Sequence, residues 1–429
     1  MGFLFKSLTP VSKKFKANAA AIDIRIDDNG IITELGQNLA AMEGETVKEW
    51  ENAYVSPGWL DMQVHLRDPG LEYKEDIESG AAAAAFGGFT AVACMPNTQP
   101  PIHTRAEVEY VVKKQAHLPV HVYPVGCVSK DRKGESLAEI ADMHKAGAVA
   151  FSDDGDPVYN SQLMRIALEY SSMYGVPVLN HEEDIALSRP GHMHEGEVSA
   201  RLGLEGTPGI AEEVMIARDI MLAEVTGGHV HIMHISTAKG IQLVREGKAK
   251  GIKVTTEVCP HHFDLNDTEI ETRHFDTHCK MHPPLRSEID RLACIEGLKD
   301  GTIDCIVTDH APHARHEKEV EFIYAPNGII GLETAWPVSC KRMYKEAGMS
   351  LEKLVEALAY NPRTILNLET LDLEVGKAAE LTFFNADKEW VLEEKHIKSK
   401  SINTPYIGST LTGYSYGIFN KGQFVENEI

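Results

Sequence analysis

Asp61-Met62-Gln63-Val64-His65-Leu66-Arg67-Asp68-Pro69-Gly70 ends an apolar strand-type run with metal-type side chains and a cation. Residues two apart on a strand share a side, so 61, 63 and 65 form one row, with an amide between a carboxylate and an imidazole. The same plan, a short β-type run closing on polar groups, recurs along the chain. Strands are expected over 55–65, 90–95, 120–125, 148–151, 176–181, 229–234, 253–257 and 304–309. Helix-type stretches with apolar residues three and four apart fall between them, as at 161–174, 211–225 and 287–298. Eight strand-helix units predict a closed (β/α)8 TIM-type barrel, an α/β fold, over residues 55–365. The segments 1–54 and 366–429 lack that rhythm and carry short β-type runs such as 21–26 and 381–384. They predict one small β-rich domain formed by both chain termini. The alanine run at 81–85 is expected to start a helix packed on the barrel.

With 429 residues, 43% hydrophobic and 25% charged, the chain is long enough for such a barrel and a smaller unit. A formal net charge of −22 repels phosphate backbones and anionic membranes, so neither nucleic acid nor a membrane is expected as a partner. A small anionic substrate would need a local cation. Apolar stretches are interrupted by charge before a membrane-spanning length, and residues 1–16 have too short an apolar core for a signal peptide, which gives a cytoplasmic expectation. Seven cysteines, an odd number with no CxxC pair, fit buried thiols better than a disulfide framework.

The residues at or just after the strands are His65, Arg67, Asn97, Asp153, Asp154, His181, His234, His261, His262, Asp309 and His313. C-terminal strand ends carry the active site of this type of barrel, so the set reads as catalytic. Hydrolytic zinc takes imidazole and carboxylate ligands, keeps one position for water and lowers the pKa of that water towards neutrality. His65, Asp154, His181, His234 and Asp309 are the candidate ligands. Strand parity turns His231 away from the side of His234 and makes it a packing residue. His192 and His194 lie in a loop and are expected outside the metal set, while His261 and His262 are expected to support rather than ligate. Phosphate-cradling, HExxH and nucleophile-elbow motifs are absent.

The runs PGWLDMQVHLRDPG (57–70), GGFTAVACMPNTQP (87–100), AFSDDG (150–155), HEGEVSARLGL (194–204), GGHVHIMHIST (227–237), EVCPHH (257–262), KMHPPLR (280–286) and TDHAPH (308–313) resemble those of class I dihydroorotases of the amidohydrolase superfamily. GIIGLETA (328–335) and SKSINTP (399–405) extend the resemblance from about residue 50 to about 410. It implies zinc-dependent, reversible ring closure of N-carbamoyl-L-aspartate to L-dihydroorotate in pyrimidine biosynthesis, with one or two zinc ions per chain. Carried over by position, His65, Asp154, His181, His234 and Asp309 would ligate metal, and Asp309 would also move the proton. Arg67, Asn97 and His313 would hold the substrate carboxylate, which agrees with the need for a local cation, and His282 would contact or border the substrate. The family often bridges two zinc ions with a carboxylated lysine; Asp154 puts this chain in the branch with aspartate there.

Two departures stand out. Gln63 replaces the histidine that would complete an Asp-x-His-x-His row, and a neutral amide oxygen is a weaker zinc ligand than imidazole. His282 replaces the asparagine of the KMNPPLR run. Three ligands, His65, Asp154 and Asp309, together with water would still complete a tetrahedral catalytic zinc. Two alternatives therefore stand beside the enzyme: a catalytically weak or inactive partner of aspartate transcarbamoylase, and a hydantoinase- or allantoinase-type amidohydrolase. The Arg67 and Asn97 clamp suits a substrate with a free carboxylate. A homo-oligomer is expected.

Overall fold

Gly58 separates two sheets. A Cβ at this position would lie 2.1 Å from Thr90 Oγ1, so the close approach to the neighbouring strand requires glycine. Before it, Tyr54–Pro57 pairs with Phe3–Pro10 and with Leu381–Val391. After it, Trp59–Val64 pairs in parallel with Phe89–Cys94. The single strand expected over 55–65 is thus two strands in two sheets, a correction that hydrophobic pattern could not supply because both halves are apolar and buried. The computed structural model describes residues 2–188 and 190–428. Met1 and Ile429, in the expected terminal unit, and Arg189 lie outside the described residues.

The barrel strands are Trp59–Val64, Phe89–Cys94, His121–Gly126, Ala150–Phe151, Val178–Asn180, Val230–Ile232, Val254–Val258 and Cys305–Ile306. Each lies beside the next in chain order, and all the pairings are parallel. A bridge between Val64 and His310, with His65 N donating to His310 O at 2.9 Å, brings the last strand back to the first. Side chains from every strand or its end, among them Leu60, Met62, Ala91, Val125, Ala150, Leu179, Met233, Cys259 and Val307, form a core cluster separate from the main one. Only residues turned into the barrel can meet from so many strands, and they fill it below the strand ends.

The helices lie close to their expected positions, at Ser161–Ser172, Ile210–Thr226 and Glu288–Asp300. The helix of the alanine run begins earlier than expected, at Ile77, because Asp76 caps it: Ser79 N donates to Asp76 Oδ1 at 2.8 Å and Asp76 N to Ser79 Oγ at 3.2 Å. Ala81, Ala83, Ala84 and Ala85 lie in its middle and are buried, their small size letting the helix pack close.

The second sheet runs Gln423–Glu426, Thr410–Asn420, Leu381–Val391, Tyr54–Pro57, Phe3–Pro10, Ile22–Ile26 and Ile32–Gly36, with Thr46–Glu49 also paired to Phe3–Pro10. It is the β-rich terminal domain, built from both ends of the chain. Phe5 stacks on Phe383 with centroids 4.5 Å apart, joining the N-terminal and C-terminal strands. All seven cysteines are buried and unpaired, and among the described residues no helix is long and apolar enough to cross a membrane.

Candidate active site

The C-terminal strand ends line a cavity of about 280 Å³ with His65, Arg67, Asn97, Asp154, His181, His234, His282, Asp309 and His313. Met281, Ala311, Asn327 and Gly328 complete much of the wall. Arg67, His234 and Asp309 have positive φ, at 60°, 29° and 45°. Left-handed backbone at non-glycine residues is uncommon, and its occurrence at three cavity residues shows the chain bending sharply to bring these side chains inward.

Asp154 lies between two groups of ligand-type atoms. One comprises Asp154, His65 and Asp309, and the other Asp154, His181 and His234. Asp154 Oδ2 is 3.2 Å from His65 Nε2, which is also 2.8 Å from Asp309 Oδ1. Asp154 Oδ1 is 3.5 Å from His181 Nδ1 and 3.7 Å from His234 Nε2, and those two nitrogens are 2.9 Å apart. Two imidazole nitrogens facing each other and one carboxylate oxygen need positive charge among them. Burial would lower the affinity of His65 for a proton, but Asp154 and Asp309 raise its pKa to about 9. His181 is likewise raised against burial, to about 10, by Asp154 and Glu183. Burial opposes the charge on Asp154, yet His181, His234 and His65 hold its carboxyl well below the usual range. A divalent cation supplies the charge that these protons otherwise provide, so the residues fit a metal.

Gln63 faces the same centre. Its Nε2 is 3.4 Å from Asp154 Oδ2, and its buried Oε1 has no hydrogen-bond partner among the described residues. Gln63 and His65 both meet the metal-type face, but the expected row does not extend to Asp61. Leu60 and Met62 face the barrel interior, the pairing register is irregular between Asp61 and Val64, and Asp61 accepts hydrogen bonds from Thr308 N at 3.0 Å and Thr308 Oγ1 at 2.5 Å, tying the first strand to the eighth.

Arg67 is buried, with Nε donating to Pro312 O at 3.3 Å and no ion-pair partner among the described residues. Burial lowers its pKa to about 10, which still leaves a cation near neutrality. Asn97 Oδ1 lies 2.8 Å from His65 Nδ1, so this amide orients a ligand-type ring and keeps its nitrogen for another partner. His313 lines the cavity, but its Nε2 is 2.9 Å from Asn327 O and its Nδ1 is 3.3 Å from Lys74 Nζ. Burial, with Arg67 and Lys74 nearby, lowers His313 to about 2 and keeps the ring neutral.

Sequence reading overlooked Glu183. Its Oε2 is 3.5 Å from His181 Nε2 and its Oε1 is 3.1 Å from His282 Nε2. The signal was available, since 183 is two residues past 181. Asn327 and Gly328 were also missed, because they lie in an aperiodic segment. His231 turns away from the centre, to Thr255 Oγ1 at 2.8 Å and Glu257 Oε2 at 3.0 Å. Asp153 accepts from Val128 N and Ser129 N at 3.0 Å and holds the preceding loop. His194 lies in a two-residue strand, Met193–His194, and neither it nor His192 joins a metal-type group among the described residues. Cys259, His261 and His262 form a further buried group, in which His262 Nε2 is 2.9 Å from Pro283 O.

Residues 53–240 match a family described as dihydro-orotase-like. The chain is 49% identical to a dihydroorotase of Geobacter sp. (strain M21) over 407 residues, 95% of each chain. It is 46% identical to a dihydroorotase of Acetivibrio thermocellus over 415 residues, 96% of each. Among solved structures, the fold is similar to that of an L-hydantoinase (dihydropyrimidinase) from Arthrobacter aurescens, with a TM-score of 0.87, 23% identity, and coverage of 100% of this chain and 97% of that one.

Proposed function

The chain belongs to the dihydroorotase family of the amidohydrolase superfamily, and on that premise we propose that the cavity holds the carboxylate of dihydroorotate or carbamoyl aspartate beside a zinc centre. The activity is that of a cyclic amide hydrolase, the reversible conversion of N-carbamoyl-L-aspartate and L-dihydroorotate. The observation that carries the site reading is a buried Arg67 without a carboxylate partner among the described residues, in the same cavity as two ligand groups that share Asp154. A buried guanidinium is costly unless an anion engages it, and the planar fork suits a substrate carboxylate.

In this proposal His65, Asp154 and Asp309 would hold one zinc ion, and Asp154, His181 and His234 would hold a second. Zinc supplies Lewis-acid polarisation of the scissile carbonyl and lowers the pKa of water. Arg67 and the Asn97 amide hold the substrate carboxylate, with His313 fixing the wall behind them and His282 bordering the substrate. Asp309 accepts a proton from the attacking water and returns it to the ring nitrogen as the ring C–N bond opens. In ring closure the same carboxylate takes the proton from the ureido nitrogen as the C–N bond forms and gives it to the oxygen that leaves the carboxyl carbon as water.

The inactive-partner alternative is not favoured, since relatives matched over nearly the whole chain are dihydroorotases. Aspartate transcarbamoylase as a partner, a homo-oligomeric state, a cytoplasmic location and a division into 1–54 with 366–429 and 55–365 belong to the proposal. Purified protein assayed with both substrates, with zinc equivalents per chain measured in the same sample, tests it. Turnover that depends on bound zinc is expected, and a zinc-replete protein that turns over neither substrate would overturn it.

A further inference from the structure

His181, Glu183 and His282 form a chain leading away from the centre. His181 turns Nδ1 towards His234 Nε2 and Asp154 Oδ1, at 2.9 and 3.5 Å, which commits that nitrogen to the cation face. Its Nε2 points the other way, 3.5 Å from Glu183 Oε2. Glu183 Oε1 is in turn 3.1 Å from His282 Nε2. The His282 ring lies over that of His181, with centroids 5.1 Å apart and planes inclined by 23°. The contact of His262 Nε2 with Pro283 O, at 2.9 Å, anchors the turn that presents His282.

An imidazole that ligates through one nitrogen carries its proton on the other, and a carboxylate that accepts that proton fixes the ring and raises its basicity as a ligand. Glu183 faces that proton with Oε2 at 3.5 Å from His181 Nε2, an ion-pair contact longer than a good hydrogen bond that leaves His181 Nε2 without a hydrogen-bond partner among the described residues, and His282 Nε2 faces its second oxygen. These three side chains also bring ligand-type atoms within 4.8 Å of one another. As a cation site of its own, however, the group would require His181 to ligate through both nitrogens at once.

We propose that His282 is a positioning residue for the metal centre: acting through Glu183, it holds His181 in its ligating orientation, so that cation affinity depends on a residue that is not a ligand. The inference rests on the reading of Asp154, His181 and His234 as a cation site. It gives the departure at position 282 a physical role, because an asparagine amide there would end short of Glu183.

Zinc affinity, measured on the holoprotein by competition with a chromophoric chelator, tests this without reference to turnover. His282→Leu should weaken zinc binding by about tenfold or more, the usual effect of losing an outer hydrogen-bond partner, while His282→Gln, whose amide reaches Glu183, should stay within about threefold of the wild type. Glu183→Gln keeps the side-chain size and should reproduce the loss, which preserves the test if the leucine variant does not fold. The zinc stoichiometry should be the same in all the variants, and with cobalt(II) in place of zinc the visible spectrum should shift in His282→Leu. Unchanged affinity in His282→Leu with a raised KM would overturn the proposal and make His282 a substrate contact alone. Loss of a whole zinc equivalent would overturn it in favour of a separate cation site. Wild-type protein that takes up no divalent cation would overturn the reading of the centre itself, a different result from wild-type and His282→Leu proteins that bind zinc equally.

Discussion

A buried carbonyl oxygen without a partner among the described residues, Gln63 Oε1, lies in a centre otherwise made of imidazoles and carboxylates. Replacing the amide by imidazole, Gln63→His, should put a strong ligand at about 2.0–2.1 Å from zinc and raise zinc affinity. Turnover should change only modestly if His65, Asp154 and Asp309 already suffice. Equal affinity and equal turnover in the two proteins would mean that position 63 does not serve the metal. For Arg67→Lys the charge stays and the planar fork is lost, so KM should rise more than kcat falls. A fall in kcat at constant KM would remove Arg67 from the clamp. At this scale strand periodicity reads only His181, which shares the inward parity of Leu179; His65 and His234 reach the centre against the parity of Leu60, Met62 and Met233, through an irregularity between Asp61 and Val64 and a positive φ at His234. Asn97 and His313 were harder to read, because their partners, His65 on one side and Asn327 and Lys74 on the other, come from distant parts of the chain.

Between His313 and Gly331 the chain has no periodicity for sequence reading to use, and two buried lysines organise it. Lys318 Nζ donates to Pro326 O at 2.9 Å and Gly328 O at 3.1 Å, while Lys280 Nζ donates to Phe322 O at 2.7 Å and Ile323 O at 3.0 Å. Asn327 and Gly328 of this segment line the cavity. Burial, with Lys280 nearby, lowers Lys318 from 10.5 to about 7. The folded protein therefore releases this proton first, and between about pH 7 and 10.5 the unfolded chain binds more protons. Stability should rise with pH across that window through this residue, by about 1.4 kcal/mol per pH unit at most, and Lys318→Met should flatten the rise. Urea midpoints of both proteins, measured at about pH 7 and about pH 9.5, give the comparison. Parallel slopes would show that Lys318 keeps its proton in the folded state. The helices were more legible than this segment because the three- and four-residue spacing of their apolar side chains is local, although the Asp76 cap that starts the alanine helix early was not read.

Eight repeats of strand and helix made the barrel legible as a whole, but the join to the terminal sheet was not, because it depends on packing between residues far apart in sequence. Trp59, just after Gly58, lies 5.1 Å from Trp336 and 5.3 Å from Phe384, and Trp336 lies 4.9 Å from Phe384. Trp336 Nε1 also donates to Asn385 O at 3.0 Å. The cluster thus joins a barrel strand, a helix and a strand of the terminal sheet. Trp336→Ala would remove a fully buried ring and leave the Asn385 carbonyl without this donor, a loss of about 3–5 kcal/mol. Trp336→Phe keeps most of the ring contact and should cost less. If the two units stand on this shared core, the alanine variant should unfold at lower urea in one transition, with fluorescence and circular dichroism changing together. Two separated transitions, one at the wild-type midpoint, would mean that one unit holds its structure without the shared aromatic core, and that the join at Gly58 links two independently stable bodies.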